Sequence, residues 1–424
     1  VEYVIVGNSV AAVGAVEGIR SVDQEGKITL ISKEPYHTYS RPLISYYLAG
    51  KVTAEKMFYR PLDFYERNRV RALLGKEAVA LDAVNKVLTV RDPRDDSVQE
   101  IAFDKLLLAT GSKPFLPPID GLDKKKVFTF LSFDDVRAIS SVAVPGARAV
   151  VIGGGLIGLK AAEALTTIGV QVTVVELGSW ILNTILDQHA ALIVQNHLEK
   201  QGIRFLLQTT CEEVLGNDEV EAVKLNNGAT LNCDFVVIAV GVRPNTELVQ
   251  GTLLKVNKGV VVDQRMQTNL PDIYAAGDVA EGYDLISGKR RVLPILPNAY
   301  KQGKTAGINM AGGEKEFPGG FPMNSIGFFG LSINTAGLIE PGGDCWEVLV
   351  KEDQRRQVYK KIILHQDRIV GFIILNEIDR SGILTGLMSE RVSVADFKES
   401  LLETPGLVNL PDGLRHARQF GGAQ

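Results

Sequence analysis

One stretch limits what this chain can fold into: Ala149 to Leu165, AVVIGGGLIGLKAAEAL. Its first four residues, Ala149 to Ile152, form a short apolar run of the kind that makes a buried parallel strand. Gly153-Gly154-Gly155-Leu156-Ile157-Gly158 then fits G-x-G-x-x-G, and Leu159 to Leu165 continues with helical spacing. The fingerprint glycines have separate tasks. Gly153 permits the tight turn, Gly155 lets backbone approach a pyrophosphate, and Gly158 lets helix and strand pack closely. Free N–H groups where the helix opens, at Leu156 and Ile157, face the phosphates. A second strand, Gln171 to Glu176, closes on an acid about twenty residues past Gly158, where a carboxylate can take the ribose hydroxyls of an adenine dinucleotide. A lone G-x-G-x-x-G says little, but strand, glycine turn, helix, strand and acid in that order say much.

The rest of the chain must accommodate this unit. Its 424 residues suffice for two or three domains. A net charge of −4 gives no reason to expect nucleic acid, and no apolar run approaches the ~20 residues that span a bilayer. The start, VEYVIVG, enters a strand without a basic segment or cleavage site, so no signal peptide is expected. Cys211, Cys233 and Cys345 are scattered and form no C-x-x-C, which suits a reducing cytoplasm without structural disulfides. His37, His189, His197, His365 and His416 show no ligand spacing, so no metal site is expected.

A second nucleotide unit opens the chain. Tyr3 to Val6 is strand-like and leads into Gly7-Asn8-Ser9-Val10-Ala11-Ala12, where small residues stand for two of three glycines. Context rescues the poor match: Ala11 to Arg20 has helical spacing, and Lys27 to Ser32 is a strand leading to Glu34. Ser9 is small enough to admit a pyrophosphate and adds a hydroxyl donor. Glu34 is either the ribose acid of this unit or a solvated loop charge. Two nucleotide units suggest two dinucleotides, a flavin held for long and a nicotinamide held briefly. Thr268 to Val279 (TNLPDIYAAGDV) reads as a strand ending in Gly277-Asp278, where a carboxylate can accept from a ribityl hydroxyl. Leu106 to Ser112 reads as a strand ending in Thr110-Gly111, and Phe235 to Pro244 as one ending in Gly241.

Taken together, these motifs make the chain resemble the flavin-dependent pyridine nucleotide-disulfide oxidoreductase superfamily. It is most similar to the branch holding NADH:rubredoxin reductases, NADH oxidases and the flavin part of assimilatory nitrite reductases. Tyr3 to Ala12, Leu107 to Pro114, Ala149 to Leu165, Ala239 to Asn245 and Thr268 to Val279 carry the resemblance, over roughly the first three quarters of the chain. It implies an α/β fold with two Rossmann-like dinucleotide-binding domains, glutathione reductase-like, plus a C-terminal α+β interface domain. The flavin domain would be split, 1–112 and 243–315, with the NAD domain, 113–242, inserted between. Lys113-Pro114, Pro117-Pro118 and Arg243-Pro244 would mark the crossings. Gly312 to Pro322 would link to the interface domain, 320–424, which relatives often use for dimerisation. There Tyr359 to Leu364 and Ile369 to Leu375 read as strands and Val394 to Leu402 as a helix.

The resemblance also locates the chemistry. A nicotinamide must stack on the flavin to hand over a hydride, and the protein's share is positioning. Relatives place an acid two residues after the last fingerprint glycine; here stands Lys160, either a cation beside the cofactors or an exposed helix lysine. Leu156 replaces a common aromatic gate. Pro35 to Gly50 would line the flavin from the other side, but it lacks the redox cysteine of NADH oxidases and coenzyme A-disulfide reductases. Within it Arg41-Pro42 either neutralises flavin charge or is surface, and Tyr39, Tyr46 and Tyr47 read as core. Pro297-Asn298-Ala299 opens a helix to Met310 that would point at the flavin pyrimidine, with Asn298 also readable as its cap. Glu176, followed by a loop without arginine, favours NADH over NADPH.

The expectation is an NADH-dependent FAD reductase that passes electrons to a small acceptor protein such as rubredoxin or ferredoxin, without a protein thiol. Its rivals are an NADH oxidase reducing oxygen, one subunit of a larger complex, and a slow-turnover flavoprotein sensor or scaffold. Basic clusters at Lys124 to Lys126, Lys289 to Arg291 and Lys351 to Lys361 are solvated faces, unless the last two share a face that steers an acidic carrier.

Overall fold

Continuous apolar runs become the central strands of two parallel sheets, as strands buried on both faces must be. The computed structural model describes residues 1–343 and 345–403. In the first sheet Glu2–Val6 lies centrally, with Lys27–Ser32 and Val70–Leu74 on one side and Lys105–Leu108 and Ile273–Ala275 on the other, all parallel. In the second, Arg148–Ile152 is central, flanked by Gln171–Val175 and Arg204–Leu206, and by Phe235–Ile238 and Val127–Thr129. Each central strand therefore sits where the strand order reverses, which opens a crevice at its C-terminal end. The units also share a layout: after the third strand counted from its central one, each inserts a three-stranded antiparallel meander, Glu77–Asp82 to Val98–Ala102 in one and Cys211–Leu215 to Thr230–Asn232 in the other.

The first unit's helix, Val10–Arg20, is braced by Leu296–Met310. Glycines four apart on both helices bring the backbones together. A Cβ on Gly303 would lie 1.9 Å from the Ala11 carbonyl oxygen, one on Gly307 2.2 Å from that of Ala15, and one on Gly18 2.4 Å from that of Lys304.

Ser112–Pro114 and Val242–Pro244 pair antiparallel as a two-stranded ribbon, Lys113 opposite Arg243. The motif strands are shorter than expected: the run from Thr268 yields only Ile273–Ala275, and the run from Phe235 breaks after Ile238.

Beyond Pro322 lies an antiparallel sheet in the order Met323–Phe328, Leu331–Gly337, Arg368–Leu375, Val358–His365, Glu347–Asp353. The helix expected over Val394 to Leu402 is corrected. Ser393 bridges Arg368 and the buried Val394 donates its N–H to Asp367 O at 2.8 Å, so the chain enters extended, turns over 395–397 with the Phe397 N–H on Val394 O at 3.0 Å, and closes in a 3-10 turn at Lys398–Leu402. The helix of this region is Gly382–Ser389 instead. His416 and the end of the expected interface domain lie outside the described residues. No helix among those described is long and apolar enough to cross a membrane.

Candidate cofactor site

The first glycine turn is built by steric demand. Gly7 has φ +123°, and a Cβ there would lie 2.0 Å from the Ala109 carbonyl oxygen. Ser9 is the N-cap residue of Val10–Arg20, and its hydroxyl makes no cap bond. Ala12 is fully buried one turn into that helix. Glu34 is no solvated loop charge: one carboxylate oxygen takes Arg41 Nη2 at 2.6 Å and the other takes the Tyr39 hydroxyl at 2.6 Å. Arg41 also reaches Leu131 O at 3.1 Å, and Tyr39 accepts the Phe133 N–H at 3.0 Å. Arg41 keeps about a third of its side-chain exposure, yet it bonds to both nucleotide units, with Pro42 beside it in a 3-10 turn.

Glu34, Tyr39 and Arg41 line a small, solvent-open cleft with Asn8, Ser9, Ser32 and Tyr36. Reading the sequence as core missed the role of Tyr39: its ring is buried but its hydroxyl orients Glu34, and burial raises its pKa. Asn8 was missed too; it donates to Tyr36 O at 3.1 Å and accepts from Tyr65 at 2.7 Å. Tyr46, expected in the core, is exposed.

The other wall comes from the neighbouring strand ends. Thr110 donates to Asn245 O at 2.7 Å, and Gly111, φ +70°, has open space where a Cβ would be. Gly277, φ +82°, lies against Ala11 and Ala299 and donates to Gln302 Oε1 at 2.9 Å. Asp278 accepts from Ser112 Oγ at 2.8 Å, and burial raises its carboxyl above the ordinary range. Asn298 is corrected: Ile295 is the N-cap residue, and Asn298 lies buried in the first turn, donating to Phe321 O at 3.3 Å. A flavin dinucleotide fits this donor set. A turn crowded by its own sheet, a Ser9 hydroxyl with no cap bond and a half-buried carboxylate bonded to Ser112 are what its pyrophosphate and ribityl chain require.

The second turn is cut more sharply. A Cβ on Gly153 would lie 2.4 Å from the Ala239 carbonyl oxygen and one on Gly158 2.0 Å from that of Gly153, whereas Gly155 faces open space. Gly155 is the N-cap residue of Leu156–Thr167, so Leu156 and Ile157 open the helix. The Glu176 carboxylate folds back over the turn, taking the Gly154 N–H at 2.6 Å and the Gly178 N–H at 2.5 Å. Gly241, φ +112°, also has open space. A free approach at Gly155 beside a carboxylate fits a second adenine dinucleotide.

Lys160 is neither exposed nor isolated. It pairs with Glu163 and donates to Gly327 O at 3.0 Å. Cys211 and Cys233 pack with Val150, Ile152 and Val236 in the second unit, and burial pushes their thiols up to about 11 and about 12. In the C-terminal basic cluster Lys351 pairs with Glu403, Lys360 and Arg356 with Glu377, and Lys361 with Asp187. Lys289 and Arg290 form no ion pair among the described residues.

Residues 1–303 match the family model described as pyridine nucleotide-disulphide oxidoreductase. The chain belongs to this family. Residues 322–392 match the rubredoxin NAD+ reductase C-terminal domain. As in other pyridine nucleotide-disulphide oxidoreductases, the fold is glutathione reductase-like, and the family's cofactors are FAD and NAD(H). The chain is similar to a Bacillus subtilis nitrite reductase [NAD(P)H], 34% identical over 95% of this chain and 49% of that protein, so it spans about half the length of that relative. A Pseudomonas putida rubredoxin-NAD(+) reductase is 30% identical over 90% of this chain and 98% of its own. Among solved structures, an NAD-dependent persulfide reductase from A. fulgidus is 27% identical and superposes with a TM-score of 0.88 over 94% of this chain and 78% of that one.

Proposed function

We propose that this chain takes electrons from NADH and passes them through FAD to a small redox protein of the rubredoxin or ferredoxin class, with no protein thiol in the relay. The observation that carries the reading is the pairing of two strand-end crevices through Arg41. Each has a crowded glycine turn, and each has a carboxylate bonded in place, Glu34 in one and Glu176 in the other. When bound, FAD supplies hydride acceptance from the nicotinamide and onward release of electrons. The chain supplies the frame. Gly7, Ser9 and Ala12 admit the flavin pyrophosphate, Glu34 takes the adenosine ribose, and Asp278, with Thr110, Gly111 and Gly277, takes the ribityl chain. Arg41, carried with Pro42 on a 3-10 turn, holds Glu34 together with Tyr39, and the first helical turn that includes Asn298 and Ala299 favours negative charge. Gly153, Gly155, Gly158, Leu156 and Ile157 admit the NADH pyrophosphate, with Glu176 on its ribose and Gly241 at the rim. A carboxylate at Glu176 disfavours a 2′-phosphate, so NADH is preferred over NADPH.

The same reading divides the chain into 1–112 with 243–315 for FAD, 113–242 for NADH and 320–424 for the interface, acting in a reducing cytoplasm where Cys211 and Cys233 stay as buried thiols. Support for the acceptor class comes from the family matched by residues 322–392. The test is spectroscopic. The purified protein should show flavin bands that NADH bleaches, and rubredoxin or ferredoxin should restore them faster than oxygen or quinone analogues. A colourless protein that binds no added FAD defeats the cofactor assignment; oxygen as the fastest acceptor replaces the relay with an oxidase.

A further inference from the structure

Lys160 and Glu163 stand one turn apart on Leu156–Thr167, soon after the glycine turn. Their side chains keep only 17% and 10% of their exposure, so both charges need partners. Lys160 Nζ binds Glu163 Oε2 and Gly327 O, and lies 5.1 Å from the ring centroids of both Tyr46 and Phe328. The second oxygen of Glu163 accepts the Phe329 N–H at 2.8 Å. His197 Nε2, on the neighbouring helix Gln188–Glu199, is 3.3 Å from Phe329 O. All of these groups meet one object, the tip of the hairpin Met323–Phe328 and Leu331–Gly337. Phe328 is fully buried there, in the same cluster as Ile44, Leu48 and Leu159.

We propose that Lys160 and Glu163 form a clasp that ties this hairpin tip to the NADH-binding helix, making Lys160 a positioning residue for NADH. This rests on the reading of Gly153 to Gly158 as the NADH turn. The clasp lies within about 10 Å of the helix start at 1.5 Å per residue, on one rigid rod. Whatever holds the tip therefore fixes the angle at which the helix N–H groups meet the pyrophosphate, and by reciprocity NADH binding tightens the tip. Lys160 Nζ donates to Glu163 and to Gly327 O and faces the Tyr46 and Phe328 rings, so the ammonium is engaged within the contact. The acid that relatives carry at this place would here set two buried carboxylates one turn apart with the Gly327 carbonyl between them. Lysine and the docked hairpin thus belong together.

The test uses the FAD-loaded full chain and NAD+ as the probe. Hydrogen exchange at 323–331 and calorimetric NAD+ affinity are measured in the wild type, Lys160→Arg, Lys160→Met, Lys160→Glu, Lys160→Glu with Glu163→Gln, and His197→Ala. The expected result is slower exchange at the tip when NAD+ binds the wild type. In Lys160→Met, tip exchange should rise at least tenfold and NAD+ affinity fall at least fivefold, with flavin content unchanged. Lys160→Arg should keep both properties. Lys160→Glu should be worse than Lys160→Met, and adding Glu163→Gln should recover part of the loss. His197→Ala, which leaves the ion pair intact, should loosen the tip more mildly if Lys160→Met proves too unstable to load FAD. Wild-type exchange rates at the tip of Lys160→Met, or of Lys160→Glu with Glu163→Gln if Lys160→Met fails to load FAD, would overturn the clasp. Unchanged NAD+ affinity with a loosened tip would overturn the positioning role alone. A wild type that binds no NAD+ would overturn the underlying NADH reading, while tip exchange would still report on the clasp.

Discussion

At the scale of the residue, glycines that look alike in the sequence divide by what surrounds them. Gly155 has φ −79° and faces open space, so the free protein tolerates a side chain there. Gly155→Val should cost only about 1 kcal/mol, the loss of an acceptable N-cap residue, yet raise the KM for NADH roughly tenfold or more by blocking the phosphate approach. Steady-state kinetics beside a denaturation curve checks both; an unchanged KM removes Gly155 from the site. Asp278 shows the opposite compromise. Burial raises its carboxyl, so the folded state binds a proton more tightly than the unfolded chain, and stability of the flavin-free protein falls as pH rises above the ordinary carboxylate range. Asp278→Asn should therefore raise the thermal midpoint of flavin-free protein at pH 7 while weakening FAD binding, by roughly tenfold or more for one charged hydrogen bond. A variant that loses stability and keeps FAD would contradict the ribityl role.

Elements were legible where backbone demand and apolar pattern coincide. Lys27–Ser32 has the bounds read from the sequence, and both glycine turns follow their strands. What escaped depends on partners far along the chain. Nothing near Lys160 announces Gly327, and Asn298 looks like a cap because Phe321, its true acceptor, comes later. The turn after Val394 is set by the bridge of Ser393 to Arg368 and the bond of Val394 to Asp367, against its helical pattern. One signal was present and unread: Gly14 and Gly18 repeat the spacing of Gly303 and Gly307, the mark of two helices in backbone contact. Gly303→Ala should cost about 1–3 kcal/mol or more through overpacking. Denaturant unfolding checks this, and a cost under about 0.5 kcal/mol would mean that the helices part easily.

For the whole molecule, what matters is how the C-terminal sheet is fastened. Asp187 caps Gln188–Glu199 through the Ala190 N–H and takes Tyr359 at 2.9 Å and Lys361 at 2.8 Å. Burial raises its carboxyl, but Lys361 and the hydrogen bonds outweigh this and hold it below the ordinary range. A lowered folded pKa means stability that is present above the unfolded value and lost as pH falls through the folded one. Acid should thus loosen the sheet once pH drops below about 4, the usual aspartate range. Asp187→Ala should cost about 3–5 kcal/mol by leaving Lys361 buried without its partner. Near-ultraviolet circular dichroism of the wild type and variant across pH checks both; parallel curves would show that the pair does not fasten the sheet.

The ribbon of Ser112–Pro114 and Val242–Pro244 has a consequence for how such a molecule can change. Because the way in and the way out are hydrogen-bonded neighbours, the backbone threaded between them enters and leaves at one point, while Arg41, Asp187 and the Lys160–Glu163 pair moor it to the rest. A different module with the same spacing between its ends could be spliced in there without rerouting the flanking chain, provided that it met those moorings.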